Sequence, residues 1–160
     1  MAGWTPPDAN ARRRLLLRHR RVALVGVSAK RERPSHFVAT YLQAQGRDFD
    51  VSFVNPRAKT ILSRPVYATL ADLPAPPEIV VAFRKPADLP DVAIEAVSAG
   101  AAVLWLQLGL WSPEAAAIAL DAGLDLVMDR CLKIEHARFF GGLHLAGFDT
   151  GVIRSRRRRS

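Results

Sequence analysis

A single cysteine, Cys131, among 160 residues excludes an intramolecular disulfide framework and leaves one thiol for any sulfur chemistry. The four histidines, His19, His36, His136 and His144, have no metal-ligand spacing. No segment reaches the roughly 18 uninterrupted apolar residues of a membrane span. The run Leu15-Leu16-Leu17 behind Arg12-Arg13-Arg14 is too short for a signal-peptide core and gives way at once to Arg18, His19, Arg20 and Arg21. A Gly-x-Gly-x-x-Gly fingerprint is also missing. These absences predict a soluble protein without membrane contact, in a reducing cytoplasm.

Acidic residues are scarce at the two ends. Residues 1–21 carry six Arg and one Asp, residues 154–160 carry five Arg, and the stretch between carries 12 basic and 14 acidic residues, so the net charge of +8 belongs to the ends. A run such as Arg156-Arg157-Arg158-Arg159 binds nucleic acid or an anionic surface through counterion release. Without interleaved aromatic residues to stack on bases, however, it reads as a disordered, solubilising tail, and nucleic acid is not the expected partner.

Between those ends, apolar runs alternate with helical patterns. After an Arg-rich amphipathic helix over 8–19, strands are predicted at 22–27, 50–54, 78–83, 102–108 and 124–127. Helices are predicted at 35–45, 87–98 and 113–122, and from about Cys131 towards Phe139 or Phe140. In the irregular connection over 57–74, Pro65-Val66-Tyr67 reads as a small extra strand and Thr69 to Leu73 as one helical turn. Continuous apolar strands separated by helices imply a doubly wound parallel sheet of about five strands, covered by helices on both faces. The expected organisation is a basic helix over 1–21, one α/β domain over 22–146 and a basic tail over 147–160. Such sheets bind ligands where the strand order reverses, at the carboxyl ends of their strands.

The strand ends are basic where carboxylates would be expected of an NAD site. Gly26-Val27-Ser28-Ala29-Lys30 follows the first strand, with a glycine for close backbone approach and a hydroxyl beside a coming helix N-terminus. The long loop through Arg31-Glu32-Arg33-Pro34-Ser35-His36 suits several phosphates, or is simply a solvated charged loop. Asn55-Pro56-Arg57, with Lys59 nearby, follows the second strand in place of the Asp or Glu that binds ribose hydroxyls. Cations there suit an additional ribose phosphate, which leaves coenzyme A and NADP both open. A plain Asn-Pro turn explains the proline but not the cations. Phe83-Arg84-Lys85-Pro86 ends the third strand and Trp105-Leu106-Gln107-Leu108-Gly109 the fourth, where Trp105 and Trp111 read as packing residues.

Gly26-Val27-Ser28, Arg33-Pro34-Ser35, Val54-Asn55-Pro56, Phe83-Arg84-Lys85-Pro86, the Trp105 block and Met128-Asp129-Arg130-Cys131-Leu132-Lys133-Ile134-Glu135-His136 occur in an order and spacing that resembles the small bacterial and archaeal CoA-binding proteins. These look like a free-standing form of the CoA-binding domain of the succinyl-CoA synthetase α subunit. The resemblance covers about residues 15–140. It implies a Rossmann-like fold with coenzyme A, free or acylated, across the carboxyl edge of the sheet. It further implies that Gly26 and the loop of Val27, Ser28, Ala29 and Lys30 hold the pyrophosphate and that Asn55 and Pro56 border the adenine side. Arg57 or Lys59 would face the 3′-phosphate, Phe83, Arg84 and Pro86 line the middle, Gln107 and Gly109 form the fourth strand edge, and Cys131 lies near the pantetheine thiol.

Cys131 reads two ways: an inert small hydrophobe, or a thiol activated by a helix start and Arg130 and opposed by Glu135 at i+4. His136, five residues on, is about 140° round a regular helix from Cys131, which excludes a dyad within that helix. With no base or oxyanion constellation in view, the expected function is coenzyme A binding without catalysis, or with a ligase partner, and a redox-dependent mixed disulfide between CoA and Cys131. The alternatives are an NADP-dependent oxidoreductase, and a CoA-sensing regulator that uses its basic ends. A homodimer is also compatible.

Overall fold

In the computed structural model, residues 3–140 are described; the predicted tail over 147–160 lies outside them. Strands β1 (Arg21–Val25), β2 (Asp50–Val54), β3 (Thr60–Ile61), β4 (Arg64–Tyr67), β5 (Ile79–Ala82), β6 (Val103–Leu106) and β7 (Asp125–Val127) form one sheet in the order β3-β4-β2-β1-β5-β6-β7. All pairings are parallel except β3 with β4. The five apolar runs form the parallel core. The small extra strand expected at 65–67 is present as β4, laid against β2; β3 was not expected, and arises because the chain after Asn55 turns back as a hairpin with Leu62 and Ser63 at positive φ.

Helices are α1 (Ala9–Arg18), α2 (Pro34–Gln43), α3 (Leu89–Ser98), α4 (Pro113–Asp121) and α5 (Leu132–Phe140), with 3-10 turns at Leu70–Asp72 and Pro86–Asp88. Successive strand residues point to opposite faces, which divides the core in two. Val22, Leu24, Ile79, Val81, Val103 and Trp105 meet Leu16 of α1, Val38 and Leu42 of α2 and Leu132 of α5. Ala23, Val80, Ala82, Leu104 and Leu106 meet Leu89, Val92 and Ala96 of α3 and Ala115 and Ala119 of α4. This is the doubly wound, Rossmann-like arrangement. From β1 the chain crosses one way to β2, and from β5 it proceeds the other way to β6, so the reversal lies between β1 and β5.

The α1 helix is fastened by charge as well as by Leu15 and Leu16. Arg12, 5% exposed, donates from Nε to Glu135 Oε1 at 2.5 Å and from Nη1 to the Pro7 carbonyl at 2.8 Å. Where α1 enters β1, Glu78 Oε1 accepts the N–H groups of Arg20 and Arg21, each at 2.9 Å.

Candidate functional site

The carboxyl ends of β1, β2, β5 and β6 and the start of α5 surround a cleft of about 790 Å³. Its volume falls within the range of small-molecule sites. A smaller concavity of about 170 Å³ sits around the amino-terminal ends of β1 and β2, away from the strand reversal.

Gly26 fixes the floor. It ends β1 at φ +90°, and a Cβ there would stand 3.0 Å from the Phe83 carbonyl oxygen and 2.6 Å from Arg84 Cδ. Only glycine lets the ends of β1 and β5 close up this far. The loop beyond is held by its own polar groups: the Ser28 N–H donates to Ser35 Oγ (2.9 Å) and the Lys30 N–H to Ser28 Oγ (3.1 Å). Asn55 ties the β2 exit to it, donating from Nδ2 to the Val27 carbonyl and accepting the Arg57 N–H at Oδ1, both at 2.8 Å. The ten-residue α2 opens beside this loop without a side-chain cap, and Pro34 and Ser35 of its first turn line the cleft. The positive end of the α2 dipole adds partial positive charge there.

Five cations line the cleft, Lys30, Arg33, Arg57, Arg84 and Lys85, and no carboxylate does. Arg84 pairs with Asp88 at 3.2 Å; among the described residues the other four form no ion pair. Four hydrogen bonds lock the end of β6 to the turn between β7 and α5. Trp105 Nε1 donates to the Arg130 carbonyl (2.8 Å), the Arg130 N–H to the Leu106 carbonyl (3.4 Å), the Leu132 N–H to Gln107 Oε1 (2.9 Å) and the Gly109 N–H to Asp129 Oδ1 (2.7 Å). Both Asp129 and Gly109 take positive φ in this interlock. The Trp105 block and the Met128 to His136 block are therefore halves of one structural unit.

The structure brings together Gly26, Ser28, Ala29, Lys30, Asn55, Arg57, Phe83, Arg84, Gln107 and Cys131 around the cleft. Val27, Pro56, Lys59, Pro86 and Gly109 are not among its lining residues. The Val27 side chain is fully buried in the core. The Lys59 carbonyl is spent on the Val66 N–H in the β3–β4 hairpin. Pro86 starts a 3-10 turn leading to α3, and Gly109 is turned towards Asp129. Gln107 does line the cleft, but its side-chain oxygen Oε1 accepts the Leu132 N–H and so caps α5. Arg33 and Lys85, which also line it, were legible from their charge beside strand ends; Val38, Leu108 and Leu110 carry no signal that separates them from core positions.

Cys131 is half-buried at the α5 start, and its carbonyl accepts the Glu135 N–H at 3.0 Å. The Glu135 carboxylate is held by Arg12 and, at 3.7 Å, by Arg138, so it is committed to ion pairs. His136 is 1% exposed and turned to the α2 side, with Nδ1 2.7 Å from Tyr41 Oη and Nε2 2.8 Å from Asp48 Oδ2. Burial, and then the Asp48 charge, raise the Tyr41 pKa above its ordinary value of 10.0.

Residues 20–137 match the CoA binding domain family. A curated relative, the uncharacterized protein YneT of Bacillus subtilis (strain 168), is 35% identical over 123 residues, which are 77% of this chain and 90% of that protein. A hypothetical protein from Pyrococcus horikoshii OT3 superposes with a TM-score of 0.81 at 35% identity, covering 88% of this chain and 100% of that one. The dinucleotide-forming acetyl-coenzyme A synthetase 1 of Ca. Korarchaeum cryptofilum shares the fold alone: TM-score 0.59 and 17% identity over 66% of this chain and 25% of that one. With the cationic cleft at the strand reversal and this match over most of its length, the chain belongs to the CoA binding domain family.

Proposed function

We propose that the cleft binds coenzyme A, with its pyrophosphate and 3′-phosphate among Lys30, Arg33, Arg57, Arg84 and Lys85 and its pantetheine arm running towards Cys131. The observation that carries this reading is the cleft's composition, five cations without a carboxylate at one side and a half-buried thiol at the other. His136 is committed to Tyr41 and Asp48 on another face, which favours binding, with any chemistry supplied by a partner, over catalysis by this chain. The β2 exit places Arg57 where an NAD site carries an acidic residue, and this supports a ligand with an added ribose phosphate.

Thermal shift with CoA, dephospho-CoA, NAD and NADP tests the reading. CoA at 100 times its dissociation constant adds about 2.7 kcal/mol of stability. Dephospho-CoA is expected to bind about ten- to a hundredfold more weakly, the worth of a charge-assisted contact. NADP binding more tightly than CoA, or equal binding of CoA and dephospho-CoA, would refute it.

The position of Cys131 supports a second element of the proposal. Under oxidising conditions its thiolate attacks one sulfur of CoA disulfide, forming a Cys131–CoA disulfide and releasing the other CoA as thiolate. Intact-protein mass spectrometry after exposure to CoA disulfide should show one added CoA, removed by reductant and lost in Cys131→Ser. An adduct that persists in that variant rules this step out.

A further inference from the structure

The cleft is polarised. All five of its cations come from the ends of β1, β2 and β5, whereas the β6 and α5 side is uncharged, presenting Leu108, Leu110, Cys131 and Gln107, whose side-chain oxygen is taken by the Leu132 N–H. Leu108 is the unusual member, because 62% of it is exposed. A mobile loop could bury such a side chain, but this backbone is pinned on both sides. Its preceding neighbour Gln107 accepts the Leu132 N–H at 2.9 Å and its following neighbour Gly109 donates to Asp129 at 2.7 Å. The same two contacts hold Leu108 next to the turn that carries Cys131. A rigidly held leucine, open to solvent at the apolar end of a ligand cleft, offers surface that free coenzyme A leaves uncovered, since that ligand ends at its thiol.

We propose that the cleft accepts coenzyme A thioesters with an apolar acyl chain, the chain lying over Leu108 beside Cys131. This rests on the coenzyme A reading above and specifies its substrate class. No cation lines the Leu108 end to receive an acyl group that terminates in a carboxylate, so dicarboxylic thioesters are disfavoured. A bound thioester occupies the cleft in place of CoA disulfide and offers no S–S bond for the Cys131 thiolate to break.

Calorimetric titration of the full chain with CoA, octanoyl-CoA and succinyl-CoA in reducing buffer tests this. Each fully buried methylene is worth about fourfold in affinity. Even a chain covered on one side should therefore give octanoyl-CoA at least a tenfold advantage over CoA, and succinyl-CoA none. Leu108→Ser, at a position too exposed to disturb folding, should reduce the octanoyl-to-CoA affinity ratio at least threefold. The inference is overturned if CoA binds and octanoyl-CoA binds no better, or if the ratio is unchanged in Leu108→Ser. It is equally overturned if Leu108 proves to be covered by a second copy of the chain, seen as a dimer that Leu108→Ser dissociates without any acyl effect. Failure of every CoA species to bind removes the coenzyme A reading itself, a result distinguishable from these.

Discussion

At Gly26 two demands meet in one residue: a left-handed backbone and no side chain against the Phe83 carbonyl. Gly26→Ala adds about 1–2 kcal/mol of backbone cost, and the 3.0 Å approach to that carbonyl adds more. Chemical denaturation should show a loss of at least about 1 kcal/mol, accompanied by weaker CoA binding, because the β1 and β5 ends must part. An unchanged midpoint would contradict this view of the floor.

Glu78 sets a different residue-scale expectation. The Arg21 N–H foremost, with the Arg20 N–H, His19 and the Arg21 guanidinium, outweighs desolvation and lowers its carboxyl pKa from 4.5 to about 2. A depressed carboxyl pKa stabilises the fold above the unfolded value, so this contribution is present above about pH 4.5 and is lost as pH falls towards 2. Glu78→Gln should destabilise by about 1.5–3 kcal/mol at pH 7, the worth of hydrogen bonds to a charged group. The gap to wild type should close as acid titrations reach pH 2 to 3; a gap independent of pH would refute it.

Among the elements, α5 is held at both ends of its first turn: Gln107 caps the Leu132 N–H, and Glu135 receives Arg12 of α1. Glu135→Leu strands Arg12 in a buried site and should cost about 3–5 kcal/mol. The double change Arg12→Met with Glu135→Leu should recover most of that, since two apolar residues can replace a buried pair at little cost. Urea midpoints of the wild type and the two variants decide the matter; a double variant as unstable as Glu135→Leu would show that the packing of α1, rather than its charge, is what the single change disrupts.

The elements themselves were largely legible. Buried parallel strands are apolar on both faces, and Val22, Ile79 and Val103 begin such runs close to where the pairing begins. The two-residue β3 was not legible, because its pairing comes from a hairpin reversal at Leu62-Ser63 and not from any apolar periodicity. Neither was the Arg12–Glu135 pair, 123 residues apart in sequence. In the site, cations at strand ends were readable because topology alone sends them to one edge. The inward turn of Val27 and the capping role of Gln107 were not, because both depend on how a loop satisfies its backbone groups.

For the whole molecule, the formal charge of +8 is concentrated in the basic ends, while the residues that line the cleft contribute their own local cationic field. Among the described residues no helix is long and apolar enough to cross a membrane. The doubly wound sheet gathers the exits of β1, β2 and β5 at one edge, so three loops far apart in sequence supply the five cations of one cleft. CoA affinity should accordingly weaken with added salt, which calorimetry at two ionic strengths would register.

The most direct measurement is native mass spectrometry of the full chain with CoA and NADP present at equal concentration. The cationic strand-exit cleft predicts a one-to-one complex with the mass of CoA, diminished when Arg57 is changed to Ala. A complex with NADP in its place, or none with either ligand, would contradict it.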